Sequence, residues 1–189
     1  MARHCRRKRA FIILLLLTIL IASSLAIHYG YKSMYPLKYR EMVEKYSEMY
    51  GLDPLLVMSV IRVESMFRPD AVSPKNAVGL MQIMPGTGKW AADKLKLEGY
   101  SDNKLFDPDT NIHIGCWYLA MLHKEFGNTD VALAAYNAGS GNVSQWLSDG
   151  RYSKTGVTLD IIPFRETESY VKKVKESFKI YKKLYEKEF

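Results

Sequence analysis

The chain has 189 residues, 48% of them hydrophobic and 25% charged, which is enough for one globular domain, too few for two, and too apolar for a disordered chain. Five of its 27 basic residues, Arg3, Arg6, Arg7, Lys8 and Arg9, fall within the first nine positions, leaving 22 basic against 20 acidic residues in the remainder of the net +7 chain. A nucleic-acid binder carries its excess charge on a folded face that neutralises phosphates, so a nine-residue basic tip followed by a nearly balanced body argues against that class.

The first element is Phe11 to Ile27, FIILLLLTILIASSLAI, an uncharged run at the short end of a membrane-spanning helix. Having no polar face, it is not a buried core helix. Ser24-Leu25-Ala26 resembles a small-x-small cleavage site, but the run exceeds the ~7–15 residue core of a cleaved signal, and a retained anchor is expected. The positive tip places residues from 28 onward outside the cytoplasm. The resulting organisation is a cytoplasmic tip at 1–9, a transmembrane anchor at 10–27, a linker at 28–36 and one extracytoplasmic domain at 37–189. Cys5 and Cys116 would then lie on opposite sides of the bilayer, so the fold must stand without a disulfide.

In the body, Tyr39, Met42, Val43, Tyr46, Met49 and Tyr50 recur at helical spacing, with Gly51 as a stop. Asp53-Pro54 supplies an N-cap and first-turn proline for a second helix, which runs through Leu55, Val57, Val60 and Ile61 to Glu64 and is broken by Phe67, Pro69 and Pro74. A third helix is expected from Thr87 to about Leu97. A fourth starts near Asp109-Thr110 and stops at Gly127, and a fifth runs from Thr129 to Ala138. The last is long, with Tyr170, Val174, Phe178, Tyr181 and Tyr185 at steps of three or four. No segment alternates like a half-buried strand, and Arg151 to Leu159 is a short hairpin or an irregular loop. The expected fold class is predominantly α.

Glu64 shares its helix face with Val57, Val60 and Ile61. Desolvation raises the pKa of a carboxyl group on an apolar stripe toward the range in which it donates a proton at neutral pH. Helix position alone serves equally a glutamate that faces solvent or pairs with Arg62 or Arg68. His113-x-x-Cys116 shares a face as well, but a metal site needs three or four ligands and none joins them, so Cys116 is read as a small core residue. Thr87-Gly88-Lys89 has the wrong order for a phosphate loop. No Ser-His-Asp grouping emerges.

The run ESMFRPDAVSPKNAVGLMQIMPGT from Glu64 resembles the signature of the soluble lytic transglycosylase catalytic domain, a lysozyme-like fold related to goose-type lysozyme. NIHIGCWYL at Asn111, ALAAYNAG at Ala132 and IPFRETESYVKKV at Ile162 resemble three later blocks of that family, in order, so that the likeness spans about residues 51 to 181. The resemblance implies that Glu64 is the sole catalytic acid/base, cutting the β-1,4 bond between N-acetylmuramic acid and N-acetylglucosamine in peptidoglycan. It further implies that Ser73 hydrogen-bonds substrate near the scissile bond, that Gln82 and Met84 line the cleft, that Tyr136 orients or hydrogen-bonds the glutamate, and that Glu166 contacts sugar across the groove. Asn137 would brace the site beside Tyr136. Gly79 and Gly86 are expected where a loop forms a groove wall.

The product implied is a 1,6-anhydro sugar, made without water, cofactor or metal. The implied partners are peptidoglycan strands and, through the N-terminal helix, the bacterial cell membrane. A muramidase that admits water is the nearest rival. The other is an inactive wall-binding scaffold within an envelope-spanning assembly.

Overall fold

The computed structural model describes residues 2–189, the side chains of residues 2–12 and of residue 28 excepted. The charged tip, Cys5 and His28 therefore fall outside the described side chains. Two compact units result, one up to Pro36 and one from Leu37 to Phe189.

The first unit is helix α1, Ala2–Met34. Its stretch Ile13–Met34, within which 18 consecutive residues reach a mean hydropathy of 2.1, is long and apolar enough to cross a membrane. The hydroxyls of Thr18 and Ser23 donate to the carbonyls of Leu15 and Ile19, both at 2.8 Å, so neither needs an outside partner. The helix continues through residues 28–34, where a linker is expected, because nothing before Pro36 removes a backbone donor or clashes with the preceding turn.

The second unit holds α2 (Arg40–Tyr50), α3 (Pro54–Ser65), α4 (Pro85–Leu95), a 3-10 turn (Asp102–Phe106), α5 (Pro108–Phe126), α6 (Thr129–Ala138), α7 (Ser140–Ser148) and α8 (Arg165–Tyr185). Short polar side chains start several of them by accepting an otherwise orphaned N–H. Asp53 accepts from Leu55, Asp107 from Thr110 and Asn128 from Val131. Pro85 and Pro108 occupy the first turns of α4 and α5, so both begin slightly before the positions expected from the sequence. Gly51 and Gly127 end α2 and α5 in the left-handed conformation.

Helix α7 is absent from the sequence reading. Gly139, at φ 89°, ends α6 and starts α7 at once, and of the nine residues that follow only Val143 and Trp146 are buried. The segment 151–159 is irregular.

Helix α3 packs on α8 and α2, and α5 packs on α6 and α2. The core between them is formed by Leu55, Met58, Ile61, Ile112, Leu119, Leu133, Val174 and Tyr181, all 2% exposed or less. Cys116 is fully buried there, which pushes its thiol pKa up. Among the described residues the only extended pairing is two isolated antiparallel bridges, Val72 to Val78 and Val78 to Ile83, within the long connection from α3 to α4.

Candidate active site

That connection forms a wall beside the C-terminal end of α3. Glu64 sits in the last turn of α3, after which Met66 and Phe67 both take positive φ, 55° and 61°. Such a conformation is unfavourable for side chains other than glycine and persists only where surroundings impose it. Burial of Phe67, at 4% exposure, is one such constraint, and the hydroxyl of Ser65 is another, reaching the Leu80 carbonyl at 2.8 Å. The helix therefore stops abruptly with Glu64 facing an open groove of about 280 Å³, lined also by Ser73, Pro74, Lys75, Ala77, Gln82, Met84, Tyr136, Asn137 and Glu166.

Asn111, fully buried in α5, holds the wall in place. Its side-chain carbonyl accepts from the Met81 N–H at 2.8 Å, and its amide donates to the carbonyls of Val78 and Leu105 at 2.9 and 2.7 Å. Gly79, at φ 79°, lies against it, and an added Cβ would collide with the Asn111 amide and the Leu105 carbonyl. Gly86 differs from expectation: it lies in the first turn of α4 with open space around it, because Pro85 starts the helix before it.

Burial is the chief influence on Glu64 and pushes its pKa up to about 7; the negative charge of Glu166 acts in the same direction, and the hydroxyl of Tyr170 opposes both. Position at a helix C-terminus, the negative end of the helix dipole, adds to the cost of ionisation. Of the two arginines considered as partners, Arg68 turns to the Ser65 carbonyl at 3.2 Å. Tyr170, on α8, is buried and makes no hydrogen bond of ordinary geometry, but it lies near enough to lower the pKa of Glu64. The helical periodicity places it in the core stripe of α8, and only the packing of α8 on α3 brings it to the glutamate.

All seven site residues named from the sequence line this groove. Several of their polar groups serve its walls. The Ser73 hydroxyl oxygen accepts the N–H groups of Lys75 and Ala77 at 3.3 and 3.0 Å, leaving its proton to donate. Gln82, at φ 49°, donates its side-chain amide to the carbonyls of Ala71 and Gly79 at 3.1 and 2.9 Å. Met84 is 44% exposed on the groove surface. The Tyr136 hydroxyl donates to the Met81 carbonyl at 2.9 Å, so its hydrogen bond goes to the wall. The side-chain carbonyl of Asn137 accepts from Thr167 at 2.7 Å, tying α6 to the start of α8, where Glu166 stands exposed and paired with Lys75 at 3.1 Å. Lys75, Tyr170 and Asn111 are the groups that sequence reasoning passed over.

Among the described residues no three His, Cys, Asp or Glu side chains gather as metal ligands. The groove can offer one half-buried acid at its floor, one exposed carboxylate and one ammonium at its rim, and fixed polar walls between them.

An all-helical body with a lone half-buried glutamate at a helix end, facing a groove walled by an irregular loop, defines the lysozyme-like class. Within it the chain belongs to the family described as the transglycosylase SLT domain, which matches residues 41–156. The soluble lytic murein transglycosylase of Escherichia coli K12 is 41% identical over 144 residues, covering 74% of this chain and 22% of that protein. The membrane-bound lytic murein transglycosylase C of Edwardsiella ictaluri is 33% identical over 180 residues, covering 78% of this chain and 47% of its own length. The crystal structure of the 70 kDa soluble lytic transglycosylase from Escherichia coli superposes with a TM-score of 0.72 at 35% identity, over 81% of this chain and 25% of that one. An inactive Glu-to-Gln mutant of the Pseudomonas aeruginosa lytic transglycosylase Slt gives 0.71 at 38% identity, over 79% and 24%. The chain thus spans about a fifth to a half of the length of these relatives.

Proposed function

We propose that the protein is a peptidoglycan lytic transglycosylase, cleaving the β-1,4 bond between N-acetylmuramic acid and N-acetylglucosamine and closing a 1,6-anhydro ring on the muramic acid. The observation that carries this reading is the isolation of Glu64: it is raised to about 7 by burial, and the only other carboxylate lining its groove, Glu166, is exposed and paired with a lysine. Asp70 and Asp93 are exposed and lie outside the groove lining. Ordinary glycosidases divide acid and nucleophile or base between two carboxylates, whereas substrate-assisted enzymes take the second group from the sugar.

In the reaction, the neutral Glu64 carboxyl gives its proton to the glycosidic oxygen, and the C1–O bond breaks with an oxocarbenium-like centre at C1, supported by the substrate's N-acetyl group. The N-acetylglucosamine side leaves as an alcohol. The Glu64 carboxylate then takes the proton of the C6 hydroxyl, whose oxygen bonds to C1, which returns the acid to its starting state. Because the nucleophile belongs to the same sugar, it acts at high effective concentration. A pKa near 7 suits a group that must serve as acid and then base near neutral pH. Ser73, Gln82, Met84, Tyr136, Asn137 and Glu166 form the substrate-binding surface, with Gln82, Tyr136 and Asn137 acting as fixed walls. The inactive Glu-to-Gln mutant of the Pseudomonas relative supports the assignment of a glutamate to this role.

Mass analysis of muropeptides released from purified sacculi tests the reading. Products ending in the anhydro sugar, lighter by one water than reducing ends and inert to borohydride, are expected; reducing ends throughout would make the protein a muramidase, and no release would make it a scaffold.

We further propose that α1 is a retained anchor with the body extracytoplasmic. The charged tip before an apolar run longer than a signal core supports this over cleavage.

A further inference from the structure

Lys75 sits at the tip of a turn whose backbone is fixed on all sides. The Ser73 N–H donates to the Ala77 carbonyl at 2.9 Å, the Asn76 N–H donates to the Ser73 carbonyl at 2.9 Å, and Asn76 takes the left-handed conformation at φ 62°. From this tip the ammonium reaches over to Glu166 on α8, with side chains 75% and 70% exposed. An ion pair so exposed contributes about 1 kcal/mol or less to stability, because water competes for both charges. Neither the wall nor α8 depends on it, since Asn111 and the Asn137–Thr167 bond hold those elements.

Lys75 is nevertheless the one cation among the residues that line the groove. The glycan backbone offers it hydroxyls, ethers and neutral acetamides. The charged part of peptidoglycan is the peptide carried on the lactyl group of muramic acid, with free carboxylates and N–H groups. A paired lysine and glutamate on the rim form the complement of such a substituent, each occupied by the other until it arrives.

We propose that Lys75 is a specificity-determining residue that binds a carboxylate of the peptide substituent, exchanging its bond to Glu166 for one to the ligand. Glu166 is thereby released to accept from ligand N–H groups. The assignment rests on the groove being a peptidoglycan site.

The test uses the full chain and two strand preparations from the same sacculi, one with peptide carboxylates intact and one with them converted to neutral amides by carbodiimide and ammonia. Release of anhydro ends gives kcat and KM for each. For the unaltered protein, amidation is expected to raise KM roughly three- to tenfold, as for the loss of one partly exposed charged contact. Lys75→Met should bring the two KM values together, and Lys75→Arg should restore much of the difference. Equal KM values for the unaltered protein, or an undiminished ratio in Lys75→Met, would overturn the proposal while leaving the transglycosylase reading intact. Absence of anhydro ends from both strands would overturn both.

Discussion

At Glu64 the physical cost of the site is concentrated on one group. Its pKa stands above the ordinary 4.5, so the folded state holds the proton more tightly than the unfolded chain does. For a raised carboxyl the sign runs against ionisation: the folded state is unpenalised below about pH 4.5, loses stability as pH rises from there to about 7, and bears the full cost above it. That cost is on the order of 3 kcal/mol. Glu64→Gln keeps the shape and removes the proton, so it should abolish release of anhydro ends while raising the melting temperature more at pH 8 than at pH 5. Thermal denaturation at both pH values checks this, and a variant retaining near-normal activity would remove Glu64 from its role. Glu166→Gln tests the electrostatic coupling. Removing a negative charge that raises Glu64 should move the alkaline limb of the kcat/KM profile to lower pH, and an unmoved limb would show that the two carboxylates do not interact.

Among the elements, those with local punctuation were legible in the sequence. Asp53-Pro54, the apolar stripe that follows and Gly51 before it define α2 and α3 by capping and periodicity, and the same stripe carries Glu64 into view. The groove wall was legible as a set of residues without its construction. What holds it is long-range: Asn111 reaches Val78 and Met81 from 30 or more positions away, and no periodicity announces such a bond. Tyr170 was hidden for a related reason, since a tyrosine in the apolar stripe of a helix looks like packing until α8 is laid on α3. Helix α7 was hidden by Gly139, which carries the mark of an end and here also makes a beginning. The wall gives the prediction at this scale. Asn111→Leu removes three hydrogen bonds and leaves the Met81 N–H and the Val78 and Leu105 carbonyls without their partner, which should cost about 3 kcal/mol or more in urea unfolding. Activity should fall with it, as Met81 also positions Tyr136 through its carbonyl. A loss below about 1 kcal/mol would show that the wall stands without Asn111.

For the whole molecule, the anchored reading of α1 predicts that the protein stays with membranes through a carbonate wash and that protease added to intact spheroplasts degrades the body. A mature N-terminus near Ile27 would establish cleavage in its place, with export unchanged. The central claim concerns what attacks C1 once the proton of Glu64 has been given up. A groove with one half-buried acid and no second free carboxylate leaves the attack to the sugar's own C6 hydroxyl, and water is not consumed. Digestion of sacculi in oxygen-18 water measures this directly. The new muramic acid termini should carry no label and lie one water below reducing ends in mass; substantial label at those termini would show that water is the nucleophile and would contradict the account.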